Sequence, residues 1–541
     1  MSKNDNNTLV KNASFLMVAA LVSKIIGMLY KSPLTTLIGR ESFACFQFAQ
    51  NAYFILLMIA SFSIPQAVSK IMSERIAFKR YRDAQRVFKG ALLYAAIAGG
   101  AAALICIFGA SILVPDNMAN ARLALQMLAP TIFISGILGV FRGYFQAYRN
   151  MLPTSISQIL EQIAVAVVAL LVAGFMVNHF ADAGADTLQQ WSAAGATIGT
   201  GAGVLTAFLF MFLIYKMNYK TIAKKIERDH VSVDESYKSV MKTIVLIAAP
   251  IILSAFIYNV NGYINGVMYT SVSGMRGIAS SIVKENYAEY GFFMTLINIP
   301  LTLASTAPTS MMPEVSGHYV TGDIKGATEK INKATWIAML ISVPASVGLA
   351  VLAQPVTRLI FPSTEGLAGQ LMIIGVVTVI LNSTSNISNG VLQAIGKPNI
   401  PMINAAIALV IDIIFLASAL FFTDLGIYGV VLAMVVYAVV MCVLNDRALK
   451  KYLGYKNPWK YAYIPPLAAS VPMGLTAYGV YAGVYHFLPS NIFALVPSIG
   501  IAIVVYFFCY LLIAKPTAQE LQALPAGTRL AALGRKLKIV K

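Results

Sequence analysis

Cysteine, histidine and tryptophan are all scarce in this chain: four, four and three among 541 residues. Cys45, Cys106, Cys442 and Cys509 stand singly inside apolar runs without a C-x-x-C pair, so neither a disulfide framework nor a zinc site is expected. His179, His230, His318 and His486 are scattered near the ends of apolar segments, which argues against a metal cluster. Charge is scarce too. Only 11% of residues are charged, where soluble domains carry about 25%. Acid is the rarer sign, with 22 Asp and Glu against 40 Lys and Arg. G-x-x-x-x-G-K-[ST] is missing, since "GVLQAIGKP" has the wrong spacing and a proline after its lysine; this argues against ATP hydrolysis. No G-x-S-x-G or H-E-x-x-H occurs, so no enzyme chemistry is assigned. A cleavable leader is not expected, because the first apolar segment is too long and carries internal lysines.

What is abundant is apolar sequence: 58% of the residues, with a mean hydropathy of +0.73. That predicts an all-α integral membrane protein. About fourteen stretches are long enough to span a bilayer, near 11–38, 43–71, 88–114, 122–148, 154–178, 191–215, 243–270, 286–312, 332–353, 368–394, 399–422, 425–446, 461–486 and 491–514. Loops rich in Lys and Arg, such as "SERIAFKRYRDAQRVFK" and "YKMNYKTIAKKIERDH", alternate with loops that have none, such as "NHFADAGADTLQQ" and "FFTDLG". The positive-inside rule then places both termini in the cytoplasm of a multi-pass cytoplasmic-membrane protein. The formal charge of +18 is accounted for by this topology and by contact with anionic membrane lipids, with no nucleic-acid partner needed. Trp191, Trp336 and Trp459 are expected at the membrane interfaces.

An internal echo organises the segments. "RGYFQA" at 142–147 and "NGVLQA" at 389–394 share x-G-x-x-Q-A, 247 residues apart, and each is followed by a proline, Pro153 or Pro401. "SIPQAVSK" (63–70) and "MMPEVSGH" (311–318) recur at nearly the same offset. The pattern predicts two parallel six-helix lobes around a central cavity, plus two extra C-terminal helices. The expected division is 1–215 for the N-lobe, 216–242 for a cytoplasmic linker, 243–448 for the C-lobe, and 449–541 for the last two helices and a basic tail.

Polar residues within spans mark candidate sites. Lys24 sits near the middle of the first span and Lys31 follows seven residues later on the same face. A lysine at a helix centre costs roughly 2.5–3.5 kcal/mol on the insertion scale, more than a few leucines return, so a water-filled cationic cavity or a buried acid partner is required. Arg142 and Glu161 lie at matching depths on either side of a turn at 148–150 and are expected to pair, as structure or as a gate. Asn261 and Asn265 share a face of the seventh segment, one turn after Tyr258. Glu285 and Glu289 share a face at the outer start of the eighth, beside Lys284, where a solvated interface is the bland expectation. Asp412 stands mid-span in the eleventh, a candidate for a coupling cation or proton. Lys24, Lys31, Asn261 and Asn265 are the substrate-binding candidates; Arg142, Glu161, Glu289 and Asp412 are the gate or coupling candidates. No cofactor or bound metal is expected, and a coupling cation or the membrane potential would supply energy.

"RGYFQAYRNMLPTSISQILEQ", "SKIIGMLYKSPLTTLIG", "NIPLTLASTAPTSMMPEVS" and "GVLQAIGKPNIPMIN" together resemble the stage V sporulation protein B and YtgP group of MurJ-like lipid II flippases, a polysaccharide biosynthesis and export family of the MOP superfamily. The resemblance spans nearly the whole chain. It implies fourteen helices in two lobes, a central cavity, a lipid-tail groove on the last two helices, and alternating-access transfer of a lipid-linked, pyrophosphate-bearing cell-wall or polysaccharide precursor, with cell-wall synthesis machinery as a partner. MurJ-type flippases carry basic residues on the first helix; Lys24 matches one and Lys31 lies near a second. Here Lys stands where Arg is usual, Asn265 where relatives often have Asp, and "EQIAVAV" lacks the basic residue that often follows Glu-Gln. A multidrug or cation antiporter of the same superfamily and a membrane glycosyltransferase are the alternatives. The mid-span lysines argue against the first, and short outer loops against the second.

Overall fold

The computed structural model describes residues 19–517 apart from Ser63, with the side chains of residues 62 and 306–310 also outside the description. The start of the first expected span and the basic tail "GTRLAALGRKLKIVK" lie outside the described residues. Among the described residues the fold is all helical. Eleven helices are long and apolar enough to cross a bilayer, or twelve if Leu367–Gly375 and Val377–Ala394, bent by 45°, form one span. The other two expected spans fall on residues 19–38 and on the 41-residue helix Ser280–Val320.

Two compact units divide the chain, the first ending at Ala288 and the second beginning at Glu289. The first therefore includes Tyr237–Met275, which packs on Tyr81–Phe108 and Arg40–Leu57. The lobes expected from the repeat are a separate division, made by sequence equivalence rather than by contact.

In the first unit, Ala185–Glu227 packs along Leu152–His179. Between lipid-embedded helices the hydrophobic drive is absent, so close van der Waals approach must hold them. Gly195, Gly199 and Gly203 recur every fourth residue and supply it: a Cβ on Gly199 would lie 2.5 Å from Ala169 Cβ, and one on Gly203 would lie 2.6 Å from Glu161 O. The same helix has 43 residues, about 64 Å at 1.5 Å per residue, twice the hydrocarbon thickness of about 30 Å. It runs on through residues 216–227, so most of the expected linker's first half is helix, stabilised by the unbroken ladder. The remaining turn is pinned to the first turn of Tyr81–Phe108. Asp229 accepts from Arg82 N (2.7 Å), Val231 N (2.9 Å), Ser232 N (3.0 Å) and Ser232 Oγ (2.6 Å). Burial by itself would raise the Asp229 carboxyl, but these four donors outweigh it and hold it well below the usual carboxylate range. Asp83 returns the favour, accepting from Val233 N and Glu235 N, while Arg80 and Arg75 pair with Glu235 at 2.7 and 2.8 Å.

In the second unit, Trp336 is a core residue, 1% exposed, donating from Nε1 to Tyr510 Oη at 2.6 Å. The interfacial position expected for it is thus replaced by burial, because its one donor finds a buried hydroxyl. The bend between Leu367–Gly375 and Val377–Ala394 has a local cause. A Cβ on Gly375 would collide with the Phe293 ring and Val431, so the helix is crowded there. Thr378 Oγ1 takes Gly375 O (2.6 Å) and Ser346 Oγ reaches Val376 O (3.4 Å), covering carbonyls freed by the bend.

The repeated motif makes the same contact in each unit. A Cβ on Gly143 would lie 2.7 Å from Pro65 O; one on Gly390 would lie 3.1 Å from Met312 Sδ. Both pairs are 78 residues apart. Both helices also end in one kind of turn. Arg149 (φ 59°) and Gly396 (φ 77°) adopt the left-handed conformation. Asn150 N bonds Phe145 O and Lys397 N bonds Leu392 O, at 3.0 and 2.9 Å, closing matching Schellman turns.

Candidate functional site

Helix 19–29 passes through Tyr30 into Lys31–Ile38 with little disturbance: Tyr30 N donates to Ile26 O (3.2 Å) and Leu34 N to Tyr30 O (3.1 Å). The interruption belongs to Pro33, which has no N–H to offer Leu29 O. Lys24 is exposed and Lys31 is half-buried. Gly27 lies between them on the same face, and a Cβ there would sit 2.7 Å from Gln162 Oε1. The absence of a side chain at Gly27 thus brings the lysine-bearing helix against Leu152–His179 beside Glu161 and Gln162.

Arg142 and Glu161 do meet. Arg142 Nη2 donates to Glu161 Oε2 at 2.6 Å, and Nε donates to Ser157 Oγ at 3.1 Å. Ser157 in turn donates to Thr154 O at 2.7 Å. The two head groups are 17% and 19% exposed, so the pair is partly shielded and charge-assisted. A chemical division results within the first unit: one helix carries ammonium groups, and its neighbour carries an acid already matched by an arginine.

Asn261 and Asn265 are buried at 8% and 0% exposure on Tyr237–Met275. Their helix is fastened nearby by Tyr263 Oη donating to Leu113 O (2.7 Å), and Phe48 packs on the rings of Tyr263 and Tyr287. Asn261 Nδ2 is a buried donor with no hydrogen-bond acceptor among the described residues. Such a group costs about 1–3 kcal/mol until an acceptor arrives.

One end of this unit is an ionic cluster. Arg40 pairs with Glu285 at 3.1 Å, and Lys284 Nζ donates to Gln189 Oε1 at 2.7 Å with Glu41 Oε2 at 3.9 Å. Lys284 is 6% exposed rather than solvated as expected, because Gln189 and Glu41 replace its water.

In the second unit Glu289 is also buried, at 2%. Its carboxylate accepts from Thr364 Oγ1 (2.6 Å), Glu365 N (2.8 Å) and Ala368 N (2.8 Å). It closes the N-terminus of Leu367–Gly375, where a negative charge meets unpaired amides and the positive end of the dipole. Asp412 is fully buried on Asn399–Phe422. Among the described residues no group of three or more His, Cys, Asp or Glu is placed to hold a metal ion.

One feature of this unit has no counterpart among the residues singled out from the sequence. Val377–Ala394 carries Asn382, Asn386, Asn389 and Gln393 at i, i+4, i+7 and i+11, a single carboxamide stripe. Asn386 and Gln393 are exposed, and Asn382 and Asn389 half-buried. Asn389 is anchored: Asn445 Nδ2 donates to its Oδ1 at 2.7 Å, and Asn445 Oδ1 accepts from Asn404 at 2.9 Å. The helical spacing is present in the sequence, but the apolar residues around it mask a single polar face when hydropathy is averaged over the span.

Comparison with known proteins adds the following. A family model for polysaccharide biosynthesis proteins matches residues 9–317, more than half of the chain. A second model, MatE, matches residues 250–417. Stage V sporulation protein B from Bacillus subtilis (strain 168) is 24% identical over 454 residues, covering 82% of this chain and 84% of that protein. Lipid II flippase MurJ from the same organism is 22% identical over 424 residues, covering 76% and 77%. The solved structure of lipid II flippase MurJ in an inward closed conformation matches with a TM-score of 0.61 at 15% identity, over 91% of this chain and 97% of that one. That last match is a likeness of fold.

Proposed function

Because this chain belongs to the polysaccharide biosynthesis protein family, we propose that it is a flippase that moves a lipid-linked cell-wall or polysaccharide precursor, bearing a polyprenyl pyrophosphate, across the cytoplasmic membrane by alternating access. The reading is one of transport, without bond-making chemistry. The observation that carries it is the pair Lys24 and Lys31, on one face of a helix inside the matched region, with Lys24 exposed. Ammonium groups attract pyrophosphate as point charges, and a partly dehydrated setting strengthens the attraction. Asn261 Nδ2, a buried donor without an acceptor among the described residues, offers a further group for a headgroup oxygen. Arg142 and Glu161 would hold the hairpin beside the lysines and could open as a gate. Glu289 would act on any gate by fixing the turn at 364–368. Asp412 is the coupling candidate, for a cation or proton, with the membrane potential as the other energy source at about 2.3 kcal/mol per charge per 100 mV. Both termini would be cytoplasmic, and membrane lipids and the cell-wall synthesis machinery would be the partners.

The experiment replaces Lys24 and Lys31 by Gln, singly and together, and follows a labelled lipid-linked precursor across reconstituted vesicles. The double variant is expected to lose most translocation while keeping its folded yield. Undiminished flipping would remove the lysines from the headgroup's path. A second reading, a multidrug or cation antiporter, draws on the match to the MatE model over residues 250–417. Efflux of a cationic dye from the same vesicles, with no movement of the lipid, would favour it.

A further inference from the structure

We propose that the carboxamide stripe Asn382–Asn386–Asn389–Gln393 binds the saccharide of the translocated lipid. The inference rests on the flippase reading and names the part of the substrate that this face recognises. It starts from an energetic conflict. Val377–Ala394 belongs to a bent apolar span, yet Asn386 and Asn382 lie about 12 and 18 Å in from its Ala394 end at 1.5 Å per residue. The side chains of Asn382, Asn386 and Gln393 make no hydrogen bond to protein among the described residues. A carboxamide in hydrocarbon without a partner costs several kcal/mol, so three in line require that this face border water or a polar ligand.

The repeat excludes the simplest structural explanation. The positions 247 residues earlier are Ser135, Gly139, Arg142 and Gln146. Three of these are occupied by packing or pairing. Ser135 Oγ lies 3.4 Å from Tyr53 Oη, a Cβ on Gly139 would touch Pro65 at 3.4 Å, and Arg142 holds Glu161. The first-half face is therefore used to hold helices together. On the second-half helix the turn and the Gly390 contact are kept, but three of the four amides, at 382, 386 and 393, make no hydrogen bond to protein among the described residues. A polar face held in place by one anchored member and otherwise uncommitted is a face for a ligand.

Its chemistry selects the class. A primary carboxamide offers two donors and an acceptor without charge, and so suits hydroxyl and acetamido groups, which both donate and accept. A row with an axial pitch of about 5–6 Å per helical turn presents such groups repeatedly along an extended polyol. No cation lies in the stripe, so nothing there counters the charge of a pyrophosphate, and the face suits the neutral, hydroxyl-rich part of the lipid better. Asn389 is held by Asn445, itself 0% exposed, which keeps one member of the row rigid.

The test uses the full chain in detergent micelles and two probes: a polyprenyl pyrophosphate carrying a disaccharide, and the same polyprenyl pyrophosphate without sugar. Asn382→Leu with Asn386→Leu is expected to weaken binding of the sugar-bearing lipid about tenfold or more, as loss of two ligand hydrogen bonds implies. Affinity for the sugar-free lipid should stay within about twofold by the same reasoning, because no bond to it is removed. Equal loss for both lipids, or no loss for either, overturns the inference. Should the leucine variant fold poorly, Asn386→Cys serves instead. A membrane-impermeant maleimide should label it, and the sugar-bearing lipid alone should protect it; failure to label, or protection by both probes, is equally fatal. Wild-type protein that binds neither lipid in micelles and moves neither across reconstituted vesicles would defeat the flippase reading itself, which is a different result from equal loss for both lipids in the leucine variant.

Discussion

Glu161→Gln removes one charge from the only ion pair found between Ala129–Ala147 and Leu152–His179 among the described residues, and its cost can be bracketed. Solvent-exposed pairs contribute about 0.2–1 kcal/mol. Removing one partner of a fully buried pair costs about 3–5 kcal/mol, because the survivor is left uncompensated. Here the head groups are 17% and 19% exposed. Arg142 keeps one neutral partner, Ser157 Oγ at 3.1 Å. The expected cost falls between the limits, about 2 kcal/mol, or some 30-fold in the folded-to-unfolded ratio. Arg142→Gln should cost more than Glu161→Gln, since it strands a carboxylate that has lost its 2.6 Å donor. A double-mutant cycle on denaturant unfolding in micelles should return a coupling energy of about 1–2 kcal/mol between the two sites. The charge-swapped pair, Arg142→Glu with Glu161→Arg, should recover part of the stability but not the bond to Ser157. A coupling energy near zero would refute the argument that this pair holds the hairpin. Full recovery of stability by the swap without recovery of translocation would assign the pair to gating.

Gly203→Val should destabilise the first unit by about 1–3 kcal/mol or more through overpacking, since its Cβ would meet Val165 and lie 2.6 Å from Glu161 O, which is backbone and cannot rotate away; monodispersity and thermal melting in micelles would show it, and an unchanged melt would sink the close-approach account. Asp229→Asn should open the turn at 229–235, because the new amide turns a donor toward donors that the carboxylate satisfied, Arg82 N and Ser232 Oγ. Asp229 has a depressed folded value, so its contribution is complete above the unfolded value of about 3.9 and fades as pH falls through the folded one. Hydrogen exchange at residues 231–235, corrected for intrinsic rate, should therefore be flat from about pH 5 to 8 in the wild type by that linkage and faster throughout in the variant; equal protection in both would refute the clamp.

The residues that could be understood in advance are those whose partners lie close in sequence or recur by period. Arg142 and Glu161 sit at equal depth across one short turn, so their pairing is a matter of helix rise alone. The x-G-x-x-Q-A echo announces a common frame, and Gly143 and Gly390 do make equivalent contacts. Other features depend on partners far along the chain. Glu289 looks from sequence like a solvated acid, and only its contacts with residues 364–368 reveal a helix cap. Lys284 needs Gln189, some ninety residues away, to be buried. The helical run from 216 to 227 reads as a basic loop, because charge density says where a segment sits relative to the membrane and nothing about whether its ladder continues. The carboxamide stripe is a different case, since its period lies in the sequence itself. Hydropathy averaged over a span conceals one polar face, and the stripe's meaning emerges only once Asn382, Asn386 and Gln393 prove to have no hydrogen bond to protein among the described residues.

Two copies of one backbone frame need not carry two copies of one chemistry, and here an economical division is available. A lipid-linked saccharide has an anionic neck and a neutral, hydroxyl-rich head. If both halves presented lysines, the second set would incur its own desolvation cost and add repulsion without contacting the sugar. If both presented amides, nothing would oppose the charge of the pyrophosphate as it leaves the headgroup region. On the proposed assignments, lysines on the first helix would serve the neck and amides on Val377–Ala394 the head, each need met by its own copy of the frame. The same division separates the two transport readings. A cationic drug gains nothing from Lys24 and Lys31 and is repelled by them at the distances where a phosphate would be drawn in. An antiporter built on this frame would need an uncommitted acid in the first unit, yet Glu161, beside the Gln162 that faces Gly27, already pairs with Arg142.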